Sequence, residues 1–273
     1  MTTAAEAISR PDRPSVGERI LRWLPALVVF ALGIAAWQWV LPWIGVERFL
    51  LPPFSDVMTT LRDERDLLLH AGWLTFKEAL GGFAIGSSLA VVFALVLARW
   101  RPLGNALMPY LIAANAIPII AFAPITNAWF GILSPWSKIA IAAVLCFFPV
   151  LVNTLRGLTS VRPESIELMT SYAAGQVALF RHVRIPSSLP FLFAALKVAS
   201  VLAMIGAVVG DYFGGSTDSL GVKILSSVSL AQYETAWAAI VVASLFGIGF
   251  YAAIALVERW ALRWHPATRG ARE

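Results

Sequence analysis

The chain has 273 residues, of which 59% are hydrophobic and only 14% charged, and its mean hydropathy is +0.75. Charged residues make up about a quarter of an ordinary soluble domain, so this composition excludes one and indicates an integral membrane protein. The net charge of +5 and pI near 9.7 do not indicate nucleic-acid binding, because the basic residues are scattered among apolar runs and form no stripe or motif.

A chain of this length holds roughly six spans of about 20 residues each. Residues 1–22 form a polar leader carrying Arg10, Arg13, Arg19 and Arg22, and the first span is expected from Trp23 to Trp43. A cleaved signal peptide needs a shorter apolar core followed by a small-residue cleavage site. Trp37-Gln38-Trp39 supplies none, so the leader is expected to stay in the cytoplasm. The long connection from Gly45 to Trp73 contains Leu51-Pro52-Pro53 and then Ser55, an expected N-cap for a helix running to Leu69. Val57, Leu61 and Leu68 give that helix an apolar side, and both an interfacial helix and a solvated connector fit the pattern.

The second span is expected from Leu74 to Ala98, with Gly82 and Gly86 four residues apart on a face suited to close helix contact. The third, Ala106 to Phe130, contains Pro118 and Pro124, each removing a backbone hydrogen bond near mid-depth, with Asn115, Thr126 and Asn127 close by. Broken helices in lipid line a cavity or pack into protein, so these five residues are candidates for a transport path; simple kinking is the alternative. The fourth span is expected from Ser137 to Leu155, and its Cys146 is the sole cysteine. An intrachain disulfide is therefore excluded, and the residue reads as a small core side chain.

A polar island, residues 156–188, follows. Pro163 fits a first helical turn, Glu164 and Glu167 complement its positive end, and Ile166, Met169 and Tyr172 or Ala173 share a face. Gly175 suits a C-terminal cap, and a second short helix aligns Val177, Phe180 and Val183 before Pro186 stops it. Two short helices with apolar faces, tied to two spans, fit the groove of another protein; lying flat on the membrane is the alternative.

The fifth span, Leu189 to Gly210, carries small residues at Ala195, Ala199, Ala203 and Ala207 and again at Gly206 and Gly210, a helix-packing stripe. Its Lys197 needs a cavity, a partner or a route to the surface, and snorkelling to the cytoplasmic side is the expectation. The connection from Asp211 to Thr235 is rich in Gly and Ser. A phosphate-binding loop needs Gly-Lys followed by Ser or Thr, and none occurs in the chain, so no nucleotide hydrolysis is expected of it. The sixth span runs from Ala236 to Glu258, closing a membrane domain over 23–260, with a tail over 261–273.

Counting Lys and Arg on alternate connections tests the orientation. The leader, Arg99, Arg101, Arg156, Arg162, Arg181, Arg184, Arg259, Arg263, Arg269 and Arg272 give fourteen on one side. Arg48, Arg62, Arg65, Lys77, Lys138 and Lys223 give six on the other. The excess marks the cytoplasmic side and places both termini and the island there. His70, His182 and His265 fall in connections without partners at metal-ligand spacing, so neither a metal site nor membrane-embedded catalysis is expected. No internal repeat or mid-membrane carboxylate stands out, which argues against an ion-coupled secondary transporter.

The run from Glu167-Leu168-Met169 through Ala173-Ala174-Gly175, Phe180-Arg181 and Ile185-Pro186 to Leu189-Pro190 resembles the EAA loop of permease subunits in ATP-binding cassette (ABC) importers. The similarity is to the nitrate, sulfonate, taurine and thiamine-precursor (NitT/TauT-like) branch. It extends through Leu51-Pro52-Pro53, Ile117-Pro118, Ala123-Pro124-Ile125, Trp129-Phe130-Gly131, Ser137-Lys138, Phe148-Pro149, Asn153-Thr154 and Gly210-Asp211-Tyr212-Phe213-Gly214-Gly215. Two departures stand out. Leu168 and Met169 replace the family's paired alanines, and Ala173 occupies its glycine position, with a glycine only at Gly175. The inter-helix turn is therefore expected two residues later than in the family.

The resemblance implies an all-α, type I (MetI-like) permease with six transmembrane helices and both termini cytoplasmic, in a bacterial inner membrane. It further implies a second permease subunit, most simply a homodimer, a cytoplasmic ABC ATPase dimer that binds ATP and Mg, and an external or periplasmic substrate-binding protein. No cofactor is implied for this chain. Glu164, Glu167, Met169, Tyr172, Ala173, Gly175, Phe180, Arg181 and Pro186 would form the ATPase-coupling loop, with Glu167 the specific contact. Asn115, Pro118, Pro124, Thr126, Asn127, Lys197 and Asp211 are the candidate path residues. The runs at 123–127 and 211–215 resemble the pyrimidine-precursor and riboflavin members more than the sulfonate members. A path for sulfonate, nitrate, taurine or an aromatic carboxylate would be expected to use Lys197.

Overall fold

The computed structural model describes residues 16–40, 43–47 and 49–263. Arg10, Arg13, Arg48, His265, Arg269 and Arg272 lie outside the described residues, as do the side chains of 16–23 and of Arg101. All secondary structure among the described residues is helical. Helix α1 (Val16–Ala35) passes into a π turn at Ala36–Val40, and α2 (Phe54–Asp63) and α3 (Arg65–Arg99) follow. Next come α4 (Arg101–Ala114), a 3-10 turn at Ile119–Phe122, α5 (Ala123–Phe130) and α6 (Pro135–Thr159). The chain continues with α7 (Pro163–Ser171), α8 (Gln176–Leu179), a second π turn at Phe180–Arg184, α9 (Ile185–Tyr212), α10 (Leu220–Ser229) and α11 (Tyr233–Ala261).

Among the described residues, four helices are long and apolar enough to cross a bilayer: α3, α6, α11 and the unbroken run of 37 residues from Gln176 to Tyr212. The α4 to α5 segment makes a fifth when its two halves count as one span, bent by 86°. At α1, the described apolar stretch, Leu24–Val40, is shorter than these.

The core is built around α6, which lies between α3 and α9. Lipid provides little hydrophobic drive for helix association, so contact depends on small residues that let backbones approach. A Cβ at Gly86 would sit 2.2 Å from the backbone oxygen of Ala143, and one at Gly82 would sit 2.4 Å from the Cβ of Ala142. From the opposite side, a Cβ at Gly206 would come within 2.9 Å of the Cα of Ala142. Ala195, Ala199, Ala203 and Ala207 are buried along the same α9 face. The two stripes therefore meet on Ala142 from opposite sides. Cys146 is buried in this layer with its thiol 3.3 Å from the carbonyl of Ala199, as a core residue.

Three expectations are corrected. The helix expected from Ser55 to Leu69 divides at Glu64, and Ser55 lies inside α2, whose capping position is Pro53. Val57 and Leu68 are fully buried, because α2 packs on α11 and α3. Trp37 fixes the entry to α2 by donating to the Pro52 carbonyl at 2.8 Å and packing edge-on to Phe54. Pro124 breaks no helix: it occupies the first turn of α5, where a missing N–H leaves no bond unmade. The break lies before it, at Asn115–Pro118, with Pro118 extended at φ −68°, ψ 98°. Lys138, counted above in a connection, is 1% exposed inside α6, and removing it from that side widens the charge asymmetry.

Candidate functional site

The polar island forms two short helices on a fixed base. In α7, Pro163 stands in the first turn and Glu164 and Glu167 are exposed, while Ile166 and Met169 are half-buried. Its exposed apolar surface comes from Leu168 (58% exposed), Tyr172 (77%) and, across the turn, Val177 (81%). The turn is not displaced. Ala173 itself adopts φ +53°, with its N–H on Thr170 and the N–H of Ala174 on Met169, at 2.9 and 3.0 Å. This pair of bonds is a Schellman C-cap, so Ala173 performs the turn at the position where the family has glycine. Gly175 has ordinary dihedrals, φ −69° and ψ 169°, and caps the start of α8 instead of the end of α7.

A left-handed alanine costs about 1–2 kcal/mol relative to a right-handed one. Ala173→Gly should therefore stabilise the turn by about 1 kcal/mol and slow amide hydrogen exchange in the last turn of α7. Gly175→Ala, with open space around the added methyl, should leave that exchange unchanged. Faster exchange in Ala173→Gly would refute the assignment of the turn.

Pro186 does not stop the second helix. The helix passes through the π turn at Phe180–Arg184, where the Ile185 N–H bonds the Phe180 carbonyl, and Pro186 falls in the first turn of α9. The wider turn takes up a proline that a regular helix would bend around. Arg181 is exposed, whereas Arg184 is 5% exposed. Arg184 donates to the Ala98 carbonyl at 3.3 Å, and its guanidinium lies 4.7 Å over the Phe180 ring. A cation thus meets the negative end of α3 and ties it to the π turn. Below, a Cβ at Gly157 would come within 2.9 Å of both Ser188 Cα and Phe191 Cβ, so the helices entering and leaving the island are in close contact. Sequence reading passed over Arg184, although an aromatic and a cation at i, i+4 was an available signal.

The candidate path residues separate into three places. Asn115 lies at the break in the third span, with its amide donating to Leu111 at 3.2 Å. It borders a cavity of about 380 Å³ walled by Leu89, Phe122, Phe147 and Phe148. Pro118 ends the break and Pro124 starts α5; Thr126 is buried and bonded to Ala123 within its own helix. Asn127 donates to the Phe213 carbonyl at 3.0 Å, fastening α5 to the loop after α9. Asp211, two residues before Phe213 in the last turn of α9, is 1% exposed and accepts from Thr75 at 2.9 Å and from the Gly221 N–H at 3.3 Å. Lys197 lies elsewhere, paired with Glu258 of α11 at 2.6 Å, so it finds a partner and does not snorkel.

Asp211 belongs to a buried charge group that sequence reading did not assemble. Glu78 of α3 lies beside it, and Lys138 is close enough to both carboxylates for their charges to act on it. Lys138 also donates to the carbonyls of Ile132 and Ser134. Thr75 completes the junction by accepting from the Leu220 N–H at 3.0 Å. The group fixes α3, α6, α9 and α10 to one another at a single point. Glu78 lay inside the expected second span, so an acid at membrane depth was visible in the sequence.

Residues 82–263 match the family of binding-protein-dependent transport system inner membrane components. The formylaminopyrimidine transport permease protein ThiX of Halalkalibacterium halodurans is 33% identical over 253 residues, covering 90% of this chain and 98% of its own. The riboflavin transport system permease protein RibX of Chloroflexus aurantiacus is 32% identical, covering 89% and 92%. The putative aliphatic sulfonates transport permease protein SsuC of Bacillus subtilis is 26% identical, covering 98% and 96%. The crystal structure of an amino acid ABC transporter superposes with a TM-score of 0.59 at 18% identity, covering 74% of this chain and 97% of the other. The chain belongs to the binding-protein-dependent inner-membrane components and is a permease subunit of an ABC importer.

Proposed function

We propose that this chain, as a homodimer with six spans per subunit, forms the membrane path of an importer for a small, neutral, planar heterocycle. The stretch from Trp23 to Trp43, which includes the apolar Leu24–Val40, makes the sixth span, leaving the leader (1–22) and the tail (261–273) in the cytoplasm around a membrane domain over 23–260. The names of ThiX and RibX point to a pyrimidine-type vitamin precursor or a flavin. The more distant SsuC keeps a sulfonate as the second reading. The pairing of Lys197 with Glu258 weighs against that reading, because an anion would compete with an existing carboxylate for the ammonium. An external substrate-binding protein delivers the ligand, and a cytoplasmic ATPase pair carrying ATP and Mg drives the cycle.

The observation that carries the coupling role is the exposed α7–α8 surface of Leu168, Tyr172 and Val177 on a base fixed by Arg184. Exposed apolar side chains on short helices suit a groove in a partner, and a fixed base passes on its movement as a rigid body. Glu167, exposed on α7, is the charged contact. In the reconstituted complex, Glu167→Lys should abolish substrate-stimulated ATP hydrolysis while leaving membrane insertion intact. Unchanged stimulation would remove Glu167 from the interface.

A further inference from the structure

We propose that the cavity at the broken third span is a binding site on the permease itself for one neutral, planar heterocycle, stacked against Phe122 and Phe148 with Asn115 as its polar contact. This deepens the reading above and rests on the chain carrying such a ligand. The cavity exists because α4 and α5 do not continue one another. Asn115 and Phe122 belong to the two sides of the 86° bend, and with α6 they line a space of about 380 Å³, at the small end of ligand cavities and suited to one to three fused rings. Its floor cannot be widened or filled by repacking, since α3 and α6 touch there, backbone to backbone, at Gly86 and Ala143.

The chemistry of the wall selects the ligand. Phe147 and Phe148 stand nearly perpendicular at 84° with centroids 5.1 Å apart, and Phe93 braces Phe147 at 80°. Phe147 is thereby held between Phe93 and Phe148, and Phe122 lines the same cavity from the bent segment. Aromatic faces accept any flat conjugated ring, and an acyl chain would gain nothing from the amide. Asn115 spends one amide hydrogen on Leu111, which leaves its carbonyl oxygen and second hydrogen for a ring nitrogen or amino group. No charged side chain lines the cavity among the described residues. Lys197 is paired with Glu258, and Lys138 is held beside Glu78 and Asp211. An anion entering this space would lose its water without meeting a cation.

The test uses the purified full chain in lipid nanodiscs, without ATPase or binding protein, and lumichrome fluorescence corrected for empty nanodiscs. Lumichrome should bind saturably, one per chain, and be displaced by 4-aminopyrimidine but not by methanesulfonate. Phe122→Leu and Phe148→Leu keep an apolar side chain while removing the ring face, so the protein should still fold, and each should weaken binding at least about tenfold. Asn115→Leu should weaken competition by 4-aminopyrimidine. Equal binding by the wild type and both leucine variants, or displacement by methanesulfonate, would overturn the site. Uptake in the reconstituted importer separates the two levels. ATP-driven uptake of heterocycles that is unaffected by both leucine variants refutes the cavity and leaves the transport reading standing. Saturable, ring-dependent binding without any ATP-driven heterocycle uptake supports the cavity and refutes the transport reading.

Discussion

Asp211→Leu should destabilise the folded chain by about 3–5 kcal/mol, the usual cost of removing one partner from a buried charged group. Against a total stability of about 5–15 kcal/mol, that is enough to reduce the yield of folded protein in the membrane sharply. Leucine leaves the Thr75 hydroxyl and the Gly221 N–H without their acceptor, and Lys138 keeps only Glu78 as a counter-charge. Asp211→Asn separates the two contributions. It retains an oxygen for Thr75 and Gly221, and with Glu78 still opposite Lys138 it should cost only about 1 kcal/mol. Thermal unfolding in detergent measures both, and an Asp211→Leu transition close to that of the wild type would show that the group does not hold the helices together.

The second large effect concerns the pair between α9 and α11. Lys197 and Glu258 are 2.6 Å apart with side chains about one-fifth exposed. Lys197→Met leaves a largely buried carboxylate without its partner and should cost about 2–4 kcal/mol. The double variant Lys197→Met, Glu258→Leu removes both charges from the same contact, and its stability should return to within about 1 kcal/mol of the wild type. Rescue of this kind shows a coupled pair. If the double variant is as unstable as the single one, Lys197 acts through something other than Glu258.

These two contacts also mark the limit of what the sequence could show. The spans, the small-residue stripes and the island were legible because each is a local pattern: an apolar run, a four-residue repeat, a cluster of caps. Even the meeting of both stripes on Ala142 follows from small residues seeking close backbone contact. The partner of Lys197, in contrast, is 61 residues away, and Thr75 is 136 residues from Asp211. Nothing in either neighbourhood selects among the available charges, so snorkelling looked as reasonable for Lys197 as pairing.

The prolines failed for a different reason. Pro124 and Pro186 read as breaks in the sequence, yet both occupy first turns. A proline's effect reverses between a helix interior and its first turn, and that distinction needs the helix start to within one residue. At Ala173 the local preference was overruled. Glycine at 175 is the better residue for a left-handed turn, but the helices on either side fix where the chain must reverse, and alanine accepts the strain.

The π turn beside Pro186 has a mechanical consequence. From its far end, the junction of Arg184 and Ile185, the chain extends nine residues back to Gln176, the turn included, and 28 residues on to Tyr212 as one unbroken helix. At 1.5 Å per residue these are arms of about 13 Å and 42 Å, a ratio near three. Any tilt of this lever about the turn moves the far end about three times as far as the near one. A displacement of about 2 Å at the island becomes about 6 Å beside Asp211, more than half the usual 8–10 Å spacing of packed helices. Such a tilt would fall on the buried charges that join this end of α9 to α3 and α10.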